Sequence, residues 1–282
     1  MDTVTPGIDP REFRLIRDYI EKHCGIRVGD EKVYLIQTRL TTLMAENGCN
    51  DFTEFYNKAL ADKTNAIRDR IIDAMTTNET YWFRDVEPYA IFKDVLLPKF
   101  AQEIALGKRP AIKIWSAACS TGQEPYSLSM CALDFMRGNP ALKPAHIQIT
   151  ATDISPTVLF LARAARYDSL AMSRGLPPEL KDRYFRPDGK VWVVKDEVKS
   201  MVTLKKINLQ ESFAAFGSLD IVFCRNVLIY FSDDFKKDVL GRMAKLLRPE
   251  GFLILGGSES LTHYSTEYSL VQHGKSLYYQ VK

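Results

Sequence analysis

Hydrophobic residues recur at helical spacing through the first quarter of the chain. Within each run, apolar side chains stand three or four positions apart, so that they share one face of a helix. The runs are Phe13 to Cys24, Val33 to Leu43, Phe52 to Tyr56 and Ile67 to Met75. This part of the chain is therefore predicted to form four short helices.

Polar residues and glycine mark where these helices begin and end. Asp30 is placed to cap the second helix and Asp51 the third, while Gly48 ends the second. Residues 1–75 are predicted to form a small helical domain. No redox, metal or nucleophile site is indicated in it.

The pattern changes from about residue 85 onward. A long helix is predicted over Asp85–Leu106, after which apolar strands and amphipathic helices alternate. The predicted strands are Ala111–Ala118, His146–Ile154, Leu219–Cys224 and Gly251–Gly257, and the helices are Glu124–Phe135, Ser155–Arg166 and Ser232–Leu247. Such alternation favours a parallel sheet covered by helices, the arrangement of an α/β fold.

Two stretches depart from that alternation. Short alternating runs between Tyr184 and Ile207, with a tight turn at Pro187-Asp188-Gly189, predict a small antiparallel sheet inserted into the α/β domain. Tyr268–Val281 is predicted to form a β-hairpin around Gly274 at the sheet edge. We therefore divide the chain into a helical domain (1–75), a linker (76–91) and an α/β domain (92–282) with an insertion at about 184–207.

Composition narrows the class of protein. The chain has 282 residues, of which 46% are hydrophobic and 26% charged, as in an ordinary globular protein. A net charge of +3 is too small to indicate a nucleic-acid coat. Its five cysteines form no CxxC pair and have no histidine at zinc-ligand spacing, so we expect free thiols and no metal site. They are Cys24, Cys49, Cys119, Cys131 and Cys224.

The sequence also indicates where the protein acts. The N-terminus MDTVTPGIDPREF lacks the basic start and apolar run of a signal peptide. No stretch approaches the roughly 18 apolar residues that a membrane helix needs. We expect a cytoplasmic protein.

The first strand of the α/β domain ends in a loop of small residues. Ligands in open α/β sheets bind beyond the carboxyl ends of the strands. In SAACSTGQEPYS, small residues such as Ala118, together with Gly122, would let the backbone approach a ligand closely. A tight strand-to-helix turn without a ligand fits the same residues. The loop lacks the GxGxxG pattern of a dinucleotide site.

Polar residues also follow the next two strands. Asp153 ends the second strand, where its carboxylate could accept both hydroxyls of a ribose or could cap the next helix. Ser155 is an alternative cap. The third strand is followed by Arg225 and Asn226, which interrupt an apolar run, and buried polar groups there need partners. This favours a role facing the site.

The linker segment TTNETYWFR (Thr76 to Arg84) combines polar and aromatic residues. Asn78, Thr80 and Arg84 are spaced so that several could face one site. Alternatively, its aromatic residues pack between two domains, and both interpretations can hold together.

Five segments in this order resemble the signature blocks of the CheR-type chemotaxis receptor methyltransferases. They are TTNETYWFR, WSAACSTGQEPYS, ATDIS, INLQ and FCRNVLIYF. The resemblance covers nearly the whole chain. It implies a Rossmann-like S-adenosylmethionine-dependent methyltransferase domain with an inserted small antiparallel β-subdomain, preceded by a small all-α domain.

The resemblance also implies a role for individual residues. Arg84 and Tyr230 would lie at the reacting carboxylate and be catalytic. The residues on the cofactor side would be Asn78, Thr80, Arg84, Ala118, Gly122, Glu124, Asp153, Asn208, Leu209, Arg225 and Asn226. Among these, Glu124 would contact the methionine end, Asp153 the ribose, and Asn208 with Leu209 the adenine. No metal is implied.

The implied reaction is transfer of a methyl group from S-adenosylmethionine to glutamate side chains of chemotaxis receptors, leaving S-adenosylhomocysteine. With a reference pKa of about 4.3, a glutamate is already an anion at neutral pH and needs no general base. Alignment and exclusion of water are then the main contributions. Arg84 would orient one carboxylate oxygen and leave the other free, assisted by the Tyr230 hydroxyl. The implied partners are the receptors' methylation helices, with no nucleic acid and no membrane insertion, for a monomeric enzyme.

The sequence departs from the family pattern in two places. Some members have a longer, glycine-rich turn in the β-subdomain that captures a receptor C-terminal pentapeptide, whereas here the turn is RPDGK (Arg186 to Lys190). We expect no need for that tether. The second helix keeps Lys32 and Arg39 but is otherwise less basic than in relatives, so charge steering toward acidic receptor helices is expected to be weaker.

Two other functions are compatible with this sequence. One is a methyltransferase for a different protein substrate, and the other is a scaffold that binds S-adenosylmethionine without turnover. Methylation of nucleic-acid amino groups is disfavoured because RNVL stands where an NPPY-like tetrapeptide is expected.

Overall fold

A computed structural model describes residues 7–274 and 276–282, so residues 1–6 of the N-terminal segment considered above lie outside the described part. The first part of the chain forms the four expected helices. They are α1 (Pro10–Cys24), α2 (Val33–Glu46), α3 (Phe52–Ala61) and α4 (Ala66–Met75). Their buried faces share one apolar cluster.

The capping residues are confirmed with one exception. Asp51 accepts a hydrogen bond from the backbone N–H of Glu54 at 2.8 Å, and α2 ends just before Gly48, whose φ is +69°. Asp30 does not cap α2. The chain enters α2 through a 3₁₀ turn at Asp30–Lys32, and the Asp30 carboxylate accepts instead from Arg17 on α1 at 2.7 Å.

Arg39 on α2 is tied to the end of α4. Its Nη1 donates to the carbonyl oxygens of Met75 at 2.9 Å and Thr76 at 3.1 Å. A helix C-terminus has carbonyls without intrahelical partners, and a cation satisfies them well. Arg39 therefore anchors the start of the linker rather than standing as a free surface charge.

The long helix predicted over Asp85–Leu106 is present but contains a π-helical turn. It consists of α5 (Glu87–Ile91), a π segment (Phe92–Leu96) and α6 (Leu97–Ala105). Pro98 has no N–H for the α-helical bond to the carbonyl four residues earlier. The wider turn is a local adjustment to that residue.

The remaining helices and strands follow in chain order. The strands are β1 (Ile112–Ala117), β2 (Ile147–Asp153), β3 (Arg166–Asp168), β4 (Phe185–Asp188), β5 (Val191–Val194), β6 (Val202–Lys206), β7 (Leu219–Cys224), β8 (Leu247–Leu255), β9 (Tyr268–His273) and β10 (Ser276–Val281). The helices are α7 (Gln123–Arg137), α8 (Pro156–Ala164), α9 (Ser169–Ser173), α10 (Pro178–Tyr184), α11 (Asp196–Lys199) and α12 (Asp233–Leu246).

The main sheet has seven strands in the order β6-β2-β1-β7-β8-β10-β9. Strands β6, β2, β1, β7 and β8 are parallel, and the hairpin β9–β10 adds an antiparallel edge, as expected. Successive residues of β1 face opposite sides. Ile114 packs in the cluster that contains Phe100, whereas Trp115 packs in the cluster that contains Met243. The sheet is therefore covered on both faces.

The inserted sheet differs from the prediction in its membership. It has three antiparallel strands, β3-β5-β4, so the hairpin at Pro187-Asp188-Gly189 is confirmed. The second run, β6, is not part of it: β6 pairs parallel with β2 at the edge of the main sheet. The pairing partner of an alternating run depends on distant residues, and here β3, outside the predicted insertion, takes that place.

The helical domain is joined directly to the α/β domain. An isolated β-bridge links Ile26 with Phe231, and the N–H of Arg27 donates to the carbonyl of Tyr230 at 2.8 Å. The side chain of Asn208 donates to the carbonyl of His23 at 2.8 Å. These contacts hold the end of α1 beside the carboxyl ends of the strands.

Two kinds of feature are absent from residues 7–274 and 276–282. No helix among them combines the length and the apolar character that a membrane-spanning helix needs. No group of three or more His, Cys, Asp or Glu side chains is arranged there to hold a metal ion.

Candidate functional site

A cavity that encloses about 910 Å³ of space, open solvent included, lies beyond the carboxyl ends of β1, β2 and β7. In the sheet, β2 lies on one side of β1 and β7 on its other side, so the strand order reverses at β1. The cavity therefore lies at the topological switch point of the sheet. The cavity is walled by the end of α1, the linker and the loops after these strands.

Eleven of the twelve residues that the sequence singled out line this cavity. They are Asn78, Thr80, Arg84, Ala118, Glu124, Asp153, Asn208, Leu209, Arg225, Asn226 and Tyr230. They come from sequence positions up to about 150 residues apart. The fold therefore brings the linker and the strand-end loops together, while the role of each residue stays a prediction.

Gly122 is the exception, because it does not line the cavity. Its φ is +94°, and a Cβ there would lie 3.0 Å from the ring of Tyr126 and 3.1 Å from the Cβ of Ala162. Glycine is required by the turn and by helix packing behind the loop. The close approach expected between Gly122 and a ligand stays a prediction.

Asp153 is held in place by the backbone. Its Oδ2 accepts from the N–H of Ser120 at 2.8 Å and its Oδ1 from the N–H of Ser155 at 3.0 Å. Each carboxylate oxygen keeps capacity for another bond. Burial raises the pKa of Asp153, and the backbone N–H bonds oppose that rise. Ser155, not Asp153, caps α8 through a bond from Val158 N.

Arg225 and two carboxylates form a buried charged cluster. Arg225 is 6% exposed, and its guanidinium contacts Glu124 at 3.0 Å and Asp85 at 2.8 Å. Its Nη2 also donates to the carbonyl of Arg84 at 2.6 Å. Burial opposes the charge, but the facing carboxylates dominate and hold the pKa of Arg225 above its usual value. Arg225 therefore links a strand-end loop to the linker.

Glu124 is engaged at both carboxylate oxygens. Ser116 donates to Oε1 at 2.7 Å, and Arg225 donates to Oε2 at 3.0 Å. These bonds fix the orientation of the carboxylate at the cavity wall. A carboxylate oriented in this way can accept a further bond from a cationic ligand group.

Arg84 is half-buried at the cavity wall. Its Nη1 donates to the carbonyl of Glu79 at 2.8 Å, and its guanidinium carbon lies 5.6 Å from the centre of the Tyr81 ring. Among residues 7–274 and 276–282, no carboxylate forms an ion pair with the Arg84 guanidinium. Its other nitrogens can therefore meet an incoming anion.

Unusual backbone conformations cluster around the cavity. Ala118, Ser120 and Asn226 have φ values of +56°, +49° and +57°, and the linker residues Asp85 and Val86 have +70° and +51°. Left-handed conformations are costly for residues with a Cβ, most of all for a β-branched valine. They persist because the surrounding bonds impose them.

Sequence reasoning missed two residues that shape the site. The Ser120 hydroxyl donates to the carbonyl of Asn78 at 2.9 Å and joins the first loop to the linker. Glu259 accepts from four backbone N–H groups, those of Asn226, Val227, Leu228 and Gly256, at 2.6–3.1 Å. The only feature of the sequence that pointed to Glu259 as a site residue is its position in GGSES, directly after a predicted strand.

Comparisons with known proteins show which family this chain resembles. Residues 78–276 match the family model described as "CheR methyltransferase, SAM binding domain", and residues 11–76 match "CheR methyltransferase, all-alpha domain". The chain is 44% identical over 279 residues to chemotaxis protein methyltransferase Cher2 of Pseudomonas putida, covering 99% of each chain.

Two further relatives are equally similar. Chemotaxis protein methyltransferase 1 of Pseudomonas aeruginosa is 44% identical over 96% of this chain and 98% of its own. The chemotaxis protein methyltransferase of Vibrio parahaemolyticus is 44% identical, with 98% of each chain covered.

Proposed function

Because the chain belongs to the CheR methyltransferase family, whose catalytic domain binds S-adenosylmethionine, we propose that it methylates glutamate side chains of chemotaxis receptors. The products would be glutamate methyl esters and S-adenosylhomocysteine. The observation that carries the proposal is the shared cavity: Arg84 and Tyr230 line the same space as Asp153 and Glu124. A carboxylate acceptor would thus meet the cofactor within one site.

The cavity residues fit S-adenosylmethionine. Asp153 would accept the ribose hydroxyls, since its two oxygens are fixed by backbone bonds and the residue lines the cavity. Glu124 would accept from the amino group of the methionine end, and Leu209 would pack against the adenine. S-adenosylmethionine supplies a methyl group on a sulfonium. The protein's contribution is to hold that end beside the acceptor.

The site chemistry suits a carboxylate acceptor. No histidine lines the cavity in the part of the chain that the structure describes, so no imidazole is placed there to act as a general base. A glutamate needs none, because it is ionised at neutral pH. Arg84 would bind one acceptor oxygen while its Nη1 stays on Glu79, and Tyr230 would assist with its hydroxyl.

The proposed function is tested by incubating the protein with S-adenosylmethionine labelled in its methyl group and the cytoplasmic fragment of a chemotaxis receptor. We expect base-labile label on specific glutamates, found by peptide mapping. A receptor fragment with those glutamates changed to alanine is the control. Label on another residue type would favour a different protein substrate. Binding of the cofactor without any label would favour the scaffold.

We also propose that the protein works without a pentapeptide tether. The turn between β4 and β5 is short, with Gly189 as its only glycine, and Pro187 removes an N–H from the β4 edge. Calorimetric titration with a receptor C-terminal pentapeptide should show no binding at micromolar concentrations. Tight binding would show that this subdomain does capture receptor tails.

A further inference from the structure

A turn of the β-subdomain, formed by residues 174–175 between α9 and α10, contacts the middle of the linker. The N–H of Trp82 donates to the carbonyl of Arg174 at 3.2 Å. Gly175 follows with φ +79°, and a Cβ there would overlap the carbonyl oxygen of Trp82. The Trp82 ring is fully buried and packs edge-on against Tyr167 and Phe185 of the same subdomain. The linker backbone is thus fixed against residues 174–175.

The side chain of Arg174 also contacts linker residues that line the cavity. Its Nη2 forms an ion pair with the carboxylate of Glu79, and its guanidinium carbon lies 5.2 Å from the centre of the Tyr81 ring. The hydrogen bond from Arg174 lowers the pKa of Glu79, which keeps this carboxyl ionised at neutral pH. Arg174 therefore contacts two linker residues at once.

The same two residues hold Arg84. Arg84 donates to the carbonyl of Glu79 at 2.8 Å and lies 5.6 Å from the Tyr81 ring. Arg174 and Arg84 thus both contact Glu79 and Tyr81. Any movement of these two residues would displace the Arg84 guanidinium.

We propose that Arg174 is a positioning residue that acts through Glu79 and Tyr81 to hold Arg84 in the geometry needed for methyl transfer. The inference rests on the proposed function, because it assigns Arg174 a part in the same reaction. Exposed ion pairs contribute little to folding stability. The pair Arg174–Glu79 is about half exposed, with 43% and 56% of the two side chains accessible, so its effect is expected in turnover rather than in stability.

The chain offers a matched control for this pair. Arg166 and Asp188 form an ion pair in the same subdomain, with 48% and 44% of their side chains exposed. This pair lies within the β3-β5-β4 sheet, and neither side chain forms a hydrogen bond or ion pair with the linker in the described residues. Arg166→Ala removes an equivalent charge and ion pair without touching Glu79 or Tyr81.

The experiment compares Arg174→Ala, Arg174→Lys and Arg166→Ala in the full chain, with a receptor cytoplasmic fragment at saturation. Arg174→Ala should lower kcat about tenfold or more, since small misplacements of orienting groups are costly. The Kd for S-adenosylhomocysteine and the melting temperature should match those of Arg166→Ala. Arg174→Lys should restore part of kcat because it keeps the ion pair. Unchanged kcat in Arg174→Ala would overturn the proposal.

A double-mutant cycle separates positioning from direct substrate binding. If Arg174 acts through Arg84, adding Arg174→Ala to Arg84→Ala should cause no further loss of kcat. A further loss of the same factor would mean that Arg174 acts independently, and would overturn the proposal.

A further measurement distinguishes failure of the proposed role of Arg84 from failure of the positioning role of Arg174. If Arg84→Ala alone turns over normally, or if the wild-type chain has no activity, crystal structures decide the question. The bond of 2.8 Å between Arg84 Nη1 and the Glu79 carbonyl should be lost in Arg174→Ala and kept in Arg166→Ala. Its persistence in Arg174→Ala would overturn the positioning role whatever the activity.

Discussion

Individual residues of the cavity are held mainly by neighbours that are distant in the sequence. Arg225 contacts Asp85, 140 positions away, and Arg174 contacts Glu79, 95 positions away. Asn208, expected beside the adenine, uses its amide N–H on the carbonyl of His23 and its amide oxygen on the N–H of Gln210. A residue type alone does not reveal which of its polar atoms remain available for a ligand.

The first prediction at the residue scale concerns Arg84. In Arg84→Ala, methyl transfer to a receptor fragment should fall about 100-fold or more, because an oriented charged donor is lost at the acceptor. Binding of S-adenosylhomocysteine should change by less than about threefold. Rates with labelled cofactor and calorimetric Kd values measure the two effects. Equal turnover by the variant would remove Arg84 from the catalytic residues.

The second concerns Asp153. In Asp153→Asn, the amide NH₂ replaces one acceptor oxygen and faces either a backbone N–H or the ribose. We expect the Kd for S-adenosylhomocysteine to rise about 10- to 100-fold, the cost of one or two bonds to a charged group. Asp196→Asn, an exposed carboxylate with 97% of its side chain accessible, is the control. An unchanged Kd would rule out a ribose contact at Asp153.

The same variant has a pH signature. The folded-state pKa of Asp153 is raised, chiefly by burial, so its contribution to stability is greatest below the ordinary value of about 3.9 and is lost as pH rises. The free energy of unfolding of the wild type, minus that of Asp153→Asn, should therefore fall as pH is raised from about 4 to 6. Urea denaturation at several pH values measures this difference, and a rise with pH would contradict it.

At the scale of elements, the linker is a structural part of the site. Arg39 holds its start at Met75 and Thr76, Ser120 holds Asn78, and Arg225 holds the segment after Arg84. The aromatic packing differs from the prediction, since Trp82 packs within the α/β domain and its inserted subdomain rather than between two domains. The linker therefore contributes residues to the cavity wall and anchors its tryptophan in one domain only.

Gly175→Ala tests the contact between the linker and the β-subdomain. The added Cβ would overlap the Trp82 carbonyl, so the variant should lose about 1–3 kcal/mol more of its unfolding free energy than Gly189→Ala. Gly189 also has a positive φ, +63°, but a Cβ there meets nothing within 4 Å. Both variants share the backbone cost, so the difference isolates the steric contact. Chemical denaturation measures it, and equal losses would show that the linker yields freely.

For the whole molecule, the cavity spans the boundary between the helical domain and the α/β domain. Cys24 and Ile26 from the helical domain line it together with Asp153 and Arg225. A ligand bound there contacts both parts of the chain. Binding should therefore stabilise the two parts together.

This coupling predicts a single thermal transition that shifts with ligand. S-adenosylhomocysteine at 100 times its Kd should add about 2.7 kcal/mol to the free energy of unfolding and raise the melting temperature of the whole chain. ATP, which has the adenosine but not the methionine end, is the control and should shift it less. Calorimetry that resolved two transitions, of which only one moved, would contradict the coupling.

Much of this molecule could be predicted from local sequence patterns. Periodicity predicted the four N-terminal helices and the alternation of strands and helices, because the face that a side chain occupies depends only on its spacing. The strand-end residues Asp153 and Arg225 were recognisable because parallel strands end at one edge. The ordered blocks that resemble a known family identified the cofactor and the class of reaction.

Only the tertiary structure decided which groups pair across the fold. β6 alternates like a strand of the small sheet but pairs with β2, since strand pairing depends on residues far apart in the chain. The linker tryptophan, Trp82, was expected to pack between two domains but packs within the α/β domain, and Arg39 could stand at the surface as a free charge but donates to the carbonyls at the end of α4. In each case the residue type was compatible with two environments. The choice between them came from long-range packing, which local spacing does not encode.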